Sequence, residues 1–442
     1  MVFLQDTVAV VFVLGVMILV HELGHFLAAR YFDVRVEAFS FGFGPRLLGK
    51  TVGETDYRVC AFPVGGYVKM AGEQPGEERN DDPRGFLGKP RWQRLIIVVM
   101  GPVFNVLLAV GLLVGLYMVR FERLAIQSEP AVLGGVAPNS PAAQAGLREG
   151  DRLAAIDGKQ NPNWEDVTMT VVASAKQPVL LTVEREGKTF DVSITPVSEP
   201  VSGVGYVGWS ERVPIQAGDL EPGMPAEKAG LRKGDLLSAV DGEPIHSPYK
   251  LPEVLQRKAG QPVTLEYMRD GQRRTASLTP VFRQIGEQPA SWKIGVGLHE
   301  KYERITTRLT FREALHESLE QNRKNATLIF QFLHGLIQRR MSPRSLEGPI
   351  GIARLSGQAA RQGSFDLILL MSAISLNLGI FNLLPIPILD GGGICLLLFE
   401  SLIGRDISLA VKERIVQVGF VFLMLLAVFV IYNDIVKSLA RG

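Results

Sequence analysis

The chain has 442 residues, 47% hydrophobic and only 21% charged, which excludes an intrinsically disordered polypeptide and argues for more than one folding unit. Lysine and arginine total 47 against 45 acidic residues, and a net charge of +2 gives no electrostatic reason to expect a nucleic-acid partner. Two cysteines, Cys60 and Cys395, are too few for a disulfide framework or a thiolate metal site.

The apolar surplus lies at the two ends of the chain. From Thr7 to Ala29 only His21, Glu22 and His25 are ionisable, and a helix of that length reaches about 34 Å, so residues 1–30 are expected to form a first membrane span. No Lys or Arg precedes Arg30, so the segment lacks the basic start of a cleaved signal peptide. Residues 31–93 make a basic loop that includes Arg35, Arg46, Lys50, Arg58, Lys69, Arg79 and Arg84. A second span is expected over 94–120, and the composition then turns globular over 124–200 and 205–283. Residues 303–345 read as an amphipathic helix lying at the outer interface. Their apolar part, Ala326 to Ile337, is too short to cross, and Arg339 and Arg340 follow it. The third span, 364–404, is interrupted by Pro385, Pro387 and the run Gly391-Gly392-Gly393, and 415–437 completes a four-helix membrane protein. Because Lys and Arg stay on the cytoplasmic side, the basic loop is expected inside, with both termini and the globular middle outside.

The globular middle contains a duplication. Pro141-Ala142, Ala145-Gly146-Leu147-Arg148, Gly150-Asp151 and Asp157-Gly158 recur 84 residues later as Pro225-Ala226, Ala229-Gly230-Leu231-Arg232, Gly234-Asp235 and Asp241-Gly242. Each copy reads as a short helix closed by glycine, a turn, a buried strand and a tight Asp-Gly turn. The pattern resembles the PDZ domain in its circularly permuted bacterial form. That resemblance implies two tandem α+β units able to take up extended peptide or protein segments by strand addition.

Chemistry is concentrated in the first span. In His21-Glu22-Leu23-Gly24-His25 the two histidines are one helical turn apart, so their imidazoles can converge on one metal ion with Glu22 beside the bound water. Each ionisable group at mid-bilayer costs about 2.5–3.5 kcal/mol on insertion scales, so three together call for a compensating partner such as zinc. A catalytic zinc takes three protein ligands. Glu54 lies in a turn-rich loop, whereas Asp390 sits in the broken third span, where irregular backbone is tolerated only against protein or a water-filled cavity. Asp390 is the better third ligand. Counted from the outer side, His21 and Asp390 both fall in the cytoplasmic half of the bilayer. The reading is metal-assisted peptide hydrolysis inside the lipid bilayer, against the alternative of a non-catalytic membrane adaptor with a structural metal site.

With the His21 to His25 motif, the segment Asn382 to Gly392 and the tandem repeats between the second and third spans, the chain closely resembles the site-2 protease family of intramembrane zinc metalloproteases over essentially its whole length. The resemblance implies that His21, His25 and Asp390 bind Zn2+ and that Glu22 is the catalytic base. It implies that Asn377 and Asn382 handle substrate near the zinc, together with Pro385 and Pro387. It also implies that Phe41 to Pro45 and Tyr57 to Met70, including Gly65 and Gly66, form a membrane-associated β-hairpin that pairs with unwound substrate. Gly101-Pro102-Val103-Phe104-Asn105 and Gly348 to Gly351 match family segments and are assigned to packing. The implied substrates are single-pass membrane proteins of the anti-sigma factor type and signal-peptide remnants, in the bacterial inner membrane, with the PDZ pair filtering them by size.

Overall fold

The computed structural model describes residues 2–73, 83–199, 203–284, 290–338 and 348–441. Arg79, Arg339 and Arg340, singled out above, lie outside these residues, as does the end of the expected 303–345 helix.

Helix α1, Val2–Tyr31, closes where Asp33 takes φ 54° and the Val34 N–H returns to the Ala29 carbonyl at 2.8 Å. Strands β1, Val36–Val52, and β2, Thr55–Met70, follow as an antiparallel pair. Ala38, Phe39, Ser40 and Phe41 each face two partners, one from each half of β2, so the long pair doubles back on itself. Gly42 and Gly44, both at φ 89°, and Gly65 at φ 120° supply the bends, in backbone regions that L side chains rarely adopt. The doubling leaves Gly66 to Met70 as an outer strand. Helix α2, Arg91–Val119, starts after Pro90 and carries Pro102 internally.

The repeats follow. In the first, α3, Pro141–Gln144, and α4, Trp164–Ala173, accompany a sheet ordered Lys159–Gln160, Arg152–Ile156, Val179–Arg185, Lys188–Ile194. In the second, α5, Pro225–Lys228, and α6, Lys250–Lys258, accompany a sheet ordered Gln272–Leu278, Val263–Arg269, Leu236–Val240, Ile215–Leu220, Val296–Glu300. The duplicated residues do the same work in both copies. Asp151 accepts from the Arg148 N–H at 2.8 Å and from Arg185 Nε at 2.6 Å, and Asp235 accepts from the Arg232 N–H and Arg269 Nε at the same distances. These Gly-Asp aspartates are structural.

Among the described residues, five helices follow: α7, Phe311–Ile337; α8, Pro349–Gln362; α9, Ser364–Asn382; α10, Asp390–Ile403; and α11, Leu409–Arg441. Among the described residues, four stretches are long and apolar enough to cross a membrane: Gln5–Tyr31, Arg91–Val119, Ser364–Asn382 and Ala410–Val436.

The chain divides into two compact units, one of Met1–Phe121, Arg308–Gln331 and Leu346–Gly442, the other of Glu122–Thr307 and Phe332–Ser345. Within the first, α1, α2 and α9 share a core of Val13, Met17 and Met371 with Leu108 and Leu112. Serine hydroxyls bind the helices to one another: Ser372 Oγ donates to the Ala109 carbonyl at 3.0 Å and Ser375 Oγ to the Asn105 carbonyl at 2.8 Å. Such bonds satisfy polar groups where water is absent. β1, β2 and the facing ends of α1 and α2 bury Ala29, Val36, Met70 and Ile97 together. The Asp434 carboxylate of α11 accepts the backbone N–H groups of Gly348, Ile350 and Gly351 and so caps α8.

Two expectations change. The helix expected flat at the outer interface instead runs down beside α2 and α9. Ala314 joins Leu113 and Tyr117, Ser318 Oγ donates to the Val110 carbonyl at 3.0 Å, and Ala326 and Ile329 pack on Ala109, Leu376 and Ile380. Small and polar residues on that face allow the approach. The three glycines expected to break the third span are helical, in the first turn of α10. The break is Leu383 to Leu389. A Cβ on Gly391 would stand 2.1 Å from the Leu384 carbonyl oxygen, and one on Gly392 2.5 Å from that of Ile386, so these glycines let the broken segment fold tightly over the helix start.

Candidate metal centre

His21 and His25 leave one face of α1, and their Nε2 atoms lie 3.2 Å apart. Asp390, the first residue of α10, places Oδ2 3.1 Å from His21 Nε2 and Oδ1 3.5 Å from His25 Nε2. Both imidazoles are buried, and one ligand atom from each of the three residues falls within 4.8 Å of the others. Asp390 Oδ2 is itself buried and accepts no hydrogen bond among the described residues. Tetrahedral zinc with bonds of about 2.0–2.2 Å needs donors spaced about 3.3 Å apart, so the donor set and its orphaned oxygen fit that ion.

The two imidazoles are held from behind. His25 Nδ1 donates to the Ile97 carbonyl at 2.9 Å, which turns its Nε2 lone pair toward the cluster. Two glycines make room: a Cβ on Gly101 would stand 2.2 Å from His25 Nε2, and one on Gly24 2.2 Å from the Met100 carbonyl oxygen, so α1 and α2 can meet here only without side chains. The hairpin reaches the same place, because a Cβ on Gly66 would be 3.2 Å from Glu22 Cγ. Glu22 thus stands between the metal ligands and the outer strand Gly66 to Met70. Ile388, at φ 87°, marks strained backbone just before Asp390.

The other expected residues divide. Asn382 brings Nδ2 to 3.4 Å from His21 Nε2 and 3.5 Å from His21 Nδ1. Asn377, half-buried and five residues earlier on α9, is turned about 140° away and makes no hydrogen bond with His21, His25 or Asp390. Pro385 is exposed in the broken segment, and Pro387 packs against Gly419 of α11. Gly65 holds the bend of β2 against Phe43. Glu54, rejected as a ligand, pairs with Arg84 at 2.8 Å on the exposed surface. One residue assigned to packing stands at the centre instead: Asn105, fully buried, places Nδ2 3.1 Å from His21 Nδ1. The only signal in the sequence is an amide in an otherwise apolar span.

Two imidazoles and a carboxylate, with a glutamate beside them, are the donor set of a metallohydrolase. The family model of peptidase family M50 matches residues 9–426, and the chain belongs to that family of metalloproteases. It is 32% identical over 449 residues to the regulator of sigma-E protease RseP of Salmonella typhimurium, covering 98% of each chain. The protein of that name from Escherichia coli is 32% identical over 454 residues, again 98% of each. Relatives from Neisseria meningitidis and Vibrio cholerae, 31% and 29% identical, carry the words zinc metalloprotease in their names. Among solved structures, the PDZ domain of the SdrC-like protein from Listeria monocytogenes matches 19% of this chain and 85% of its own, at 21% identity and a TM-score of 0.17.

Proposed function

We propose that this metalloprotease hydrolyses peptide bonds within or near the membrane spans of single-pass proteins, with His21, His25 and Asp390 as zinc ligands and Glu22 as catalytic base. The observation that carries the reading is the meeting of these three donors beside Glu22, among helices long enough to cross a membrane. Bound zinc supplies Lewis acidity that lowers the pKa of water toward about 7 and polarises a peptide carbonyl. Glu22 takes the proton of the attacking water and passes it to the leaving amine. Asn382, whose amide reaches the same imidazole, donates to the substrate backbone.

A substrate helix hides its carbonyls, so it must be unwound and held extended. Among the described residues the outer strand Gly66 to Met70 pairs with a neighbouring strand along one edge only, and an edge without a partner strand accepts a further one through main-chain hydrogen bonds. Gly65 and Gly66 keep that edge free of side chains, and Pro385 and Pro387 hold the broken segment open on the other side.

The repeats act as PDZ domains. In the second, a cavity of about 410 Å³ lined by Leu251, Leu255, Trp292 and Ile294 suits an extended peptide. In the first, Gly205 lies so close to the Val171 carbonyl that a Cβ would stand 1.9 Å from it, so the chain there sits directly on α4. The names of the relatives, regulators of sigma-E, support substrates of the anti-sigma factor type. Signal-peptide remnants are a second class that the family resemblance alone implies. The basic loop supports an orientation in the bacterial inner membrane with repeats and termini outside and the metal centre in the cytoplasmic half.

The test is Glu22→Gln in purified protein with a model transmembrane substrate. Zinc should stay near one per chain, cleavage should fall by about 10²–10⁴-fold, and a chelator should stop the wild type. Full cleavage by the variant would remove Glu22 as the base.

A further inference from the structure

We infer that Asn105 is a positioning residue: its side-chain carbonyl accepts the Nδ1–H of His21 and fixes that imidazole with Nε2 presented to the metal. The inference rests on the zinc reading above and adds a residue of α2 to it.

His21 Nε2 is the nitrogen that faces Asp390 and His25. To bind a metal through Nε2 the ring must carry its proton on Nδ1, so Nδ1 must donate. Asn105 is the nearer polar group at that nitrogen, 3.1 Å away against 3.5 Å for Asn382 Nδ2. With Nδ2 against His21, two donors meet head-on and the buried Asn105 Oδ1 has no partner. A half-turn of the amide, which exchanges N for O within the same outline, gives Oδ1 the Nδ1–H of His21 and removes the clash of donors.

Asn105 has no other place to go. It is fully buried, its backbone carbonyl accepts from Ser375 Oγ, and α9 lies against it at Gly379, where a Cβ would stand 3.4 Å from Asn105 Cβ. Asn382 does not compete for the role, because its Nδ2 is nearly equidistant from both ring nitrogens and so aligns with neither. α2 then supports both histidines, His25 through the Ile97 carbonyl and His21 through a side chain. Only the second support can be removed by substitution.

The experiment compares full-length wild type, Asn105→Leu and Asn105→Asp, measuring zinc affinity by competition with a chromophoric chelator, the cobalt(II) absorption spectrum and the melting of the metal-free protein. Asn105→Leu should bind zinc about 10–100-fold more weakly and shift the cobalt bands, with metal-free melting near wild type. Asn105→Asp keeps an acceptor and should retain wild-type affinity. Wild-type affinity in Asn105→Leu, or equal loss in both variants, would overturn the assignment. If Asn105→Leu does not fold, Asn105→Asp decides alone: retained affinity and an unshifted cobalt spectrum support it, and a tenfold loss overturns it. Absence of zinc binding by the wild type would instead sink the metal reading itself.

Discussion

Imidazole and carboxylate side chains converge in the centre because glycine lets two helices touch. Gly101 faces His25 with no room for even one carbon. We predict that Gly101→Ala forces the His25 ring off its Ile97 anchor, so zinc affinity measured by chelator competition falls, while circular dichroism keeps the helical signal of the wild type. A variant that binds zinc normally would show that the ring has slack the geometry does not provide. The same closeness gives Asn105 its meaning. In the sequence its segment, Gly101 to Asn105, is assigned to packing. In the structure it stands 3.1 Å from His21 Nδ1, beside a proposed metal ligand.

At the scale of elements, the duplicated units owe their shape to buried acid–base pairs rather than to a reactive site. The Asp235 side chain is almost fully covered, and burial alone would raise its pKa. Hydrogen bonds from Arg269 and from the Arg232 N–H outweigh that and hold it below the usual carboxylate range. A folded-state pKa below the unfolded value stabilises the fold above the unfolded pKa, near 3.9, and that contribution is lost as pH falls through the folded value. The second repeat should therefore weaken below about pH 4, and Asp235→Asn should remove that part of the acid dependence while lowering stability at pH 7. Denaturant titrations at pH 3 and pH 7 measure both. The broken third span follows a similar logic: prolines stop α9, and glycines in the first turn of α10 let the loop lie over the helix that begins with Asp390.

The whole molecule separates its work between two units with separate cores. Every residue of the large core from Ile126 to Ile294 belongs to the repeats, whereas the cores around Met17, Ile97 and Leu376 belong to the helical unit that holds His21, His25 and Asp390. Strands Phe121–Leu124 and Arg304–Thr307 pair, so the chain leaves and returns at one place. Replacing Ala125 to Glu303 by a short glycine-rich linker should therefore leave zinc near one per chain, read by metal analysis of the purified protein. Loss of zinc on that deletion would mean that the repeats help to build the centre.

Much of this was legible in the sequence for definite physical reasons. Long apolar runs report spans because lipid tolerates few charges, an 84-residue echo reports a duplication, and the convergence of His21 and His25 is readable because one helical turn puts two imidazoles on one face. The approach of Asp390 to the two histidines is expected from depth along two spans, and the structure brings them together. Other features were decided only when the chain closed on itself. Whether α7 lies flat or descends beside α2 depends on Ala314 and Ser318 meeting a particular surface, and whether a glycine breaks or joins a helix depends on the carbonyl above it. Asn105 is 84 residues from His21, and no local pattern carries that distance. Local rules set what each segment can be, whereas contacts between distant helices set which side chain supports the metal ligand.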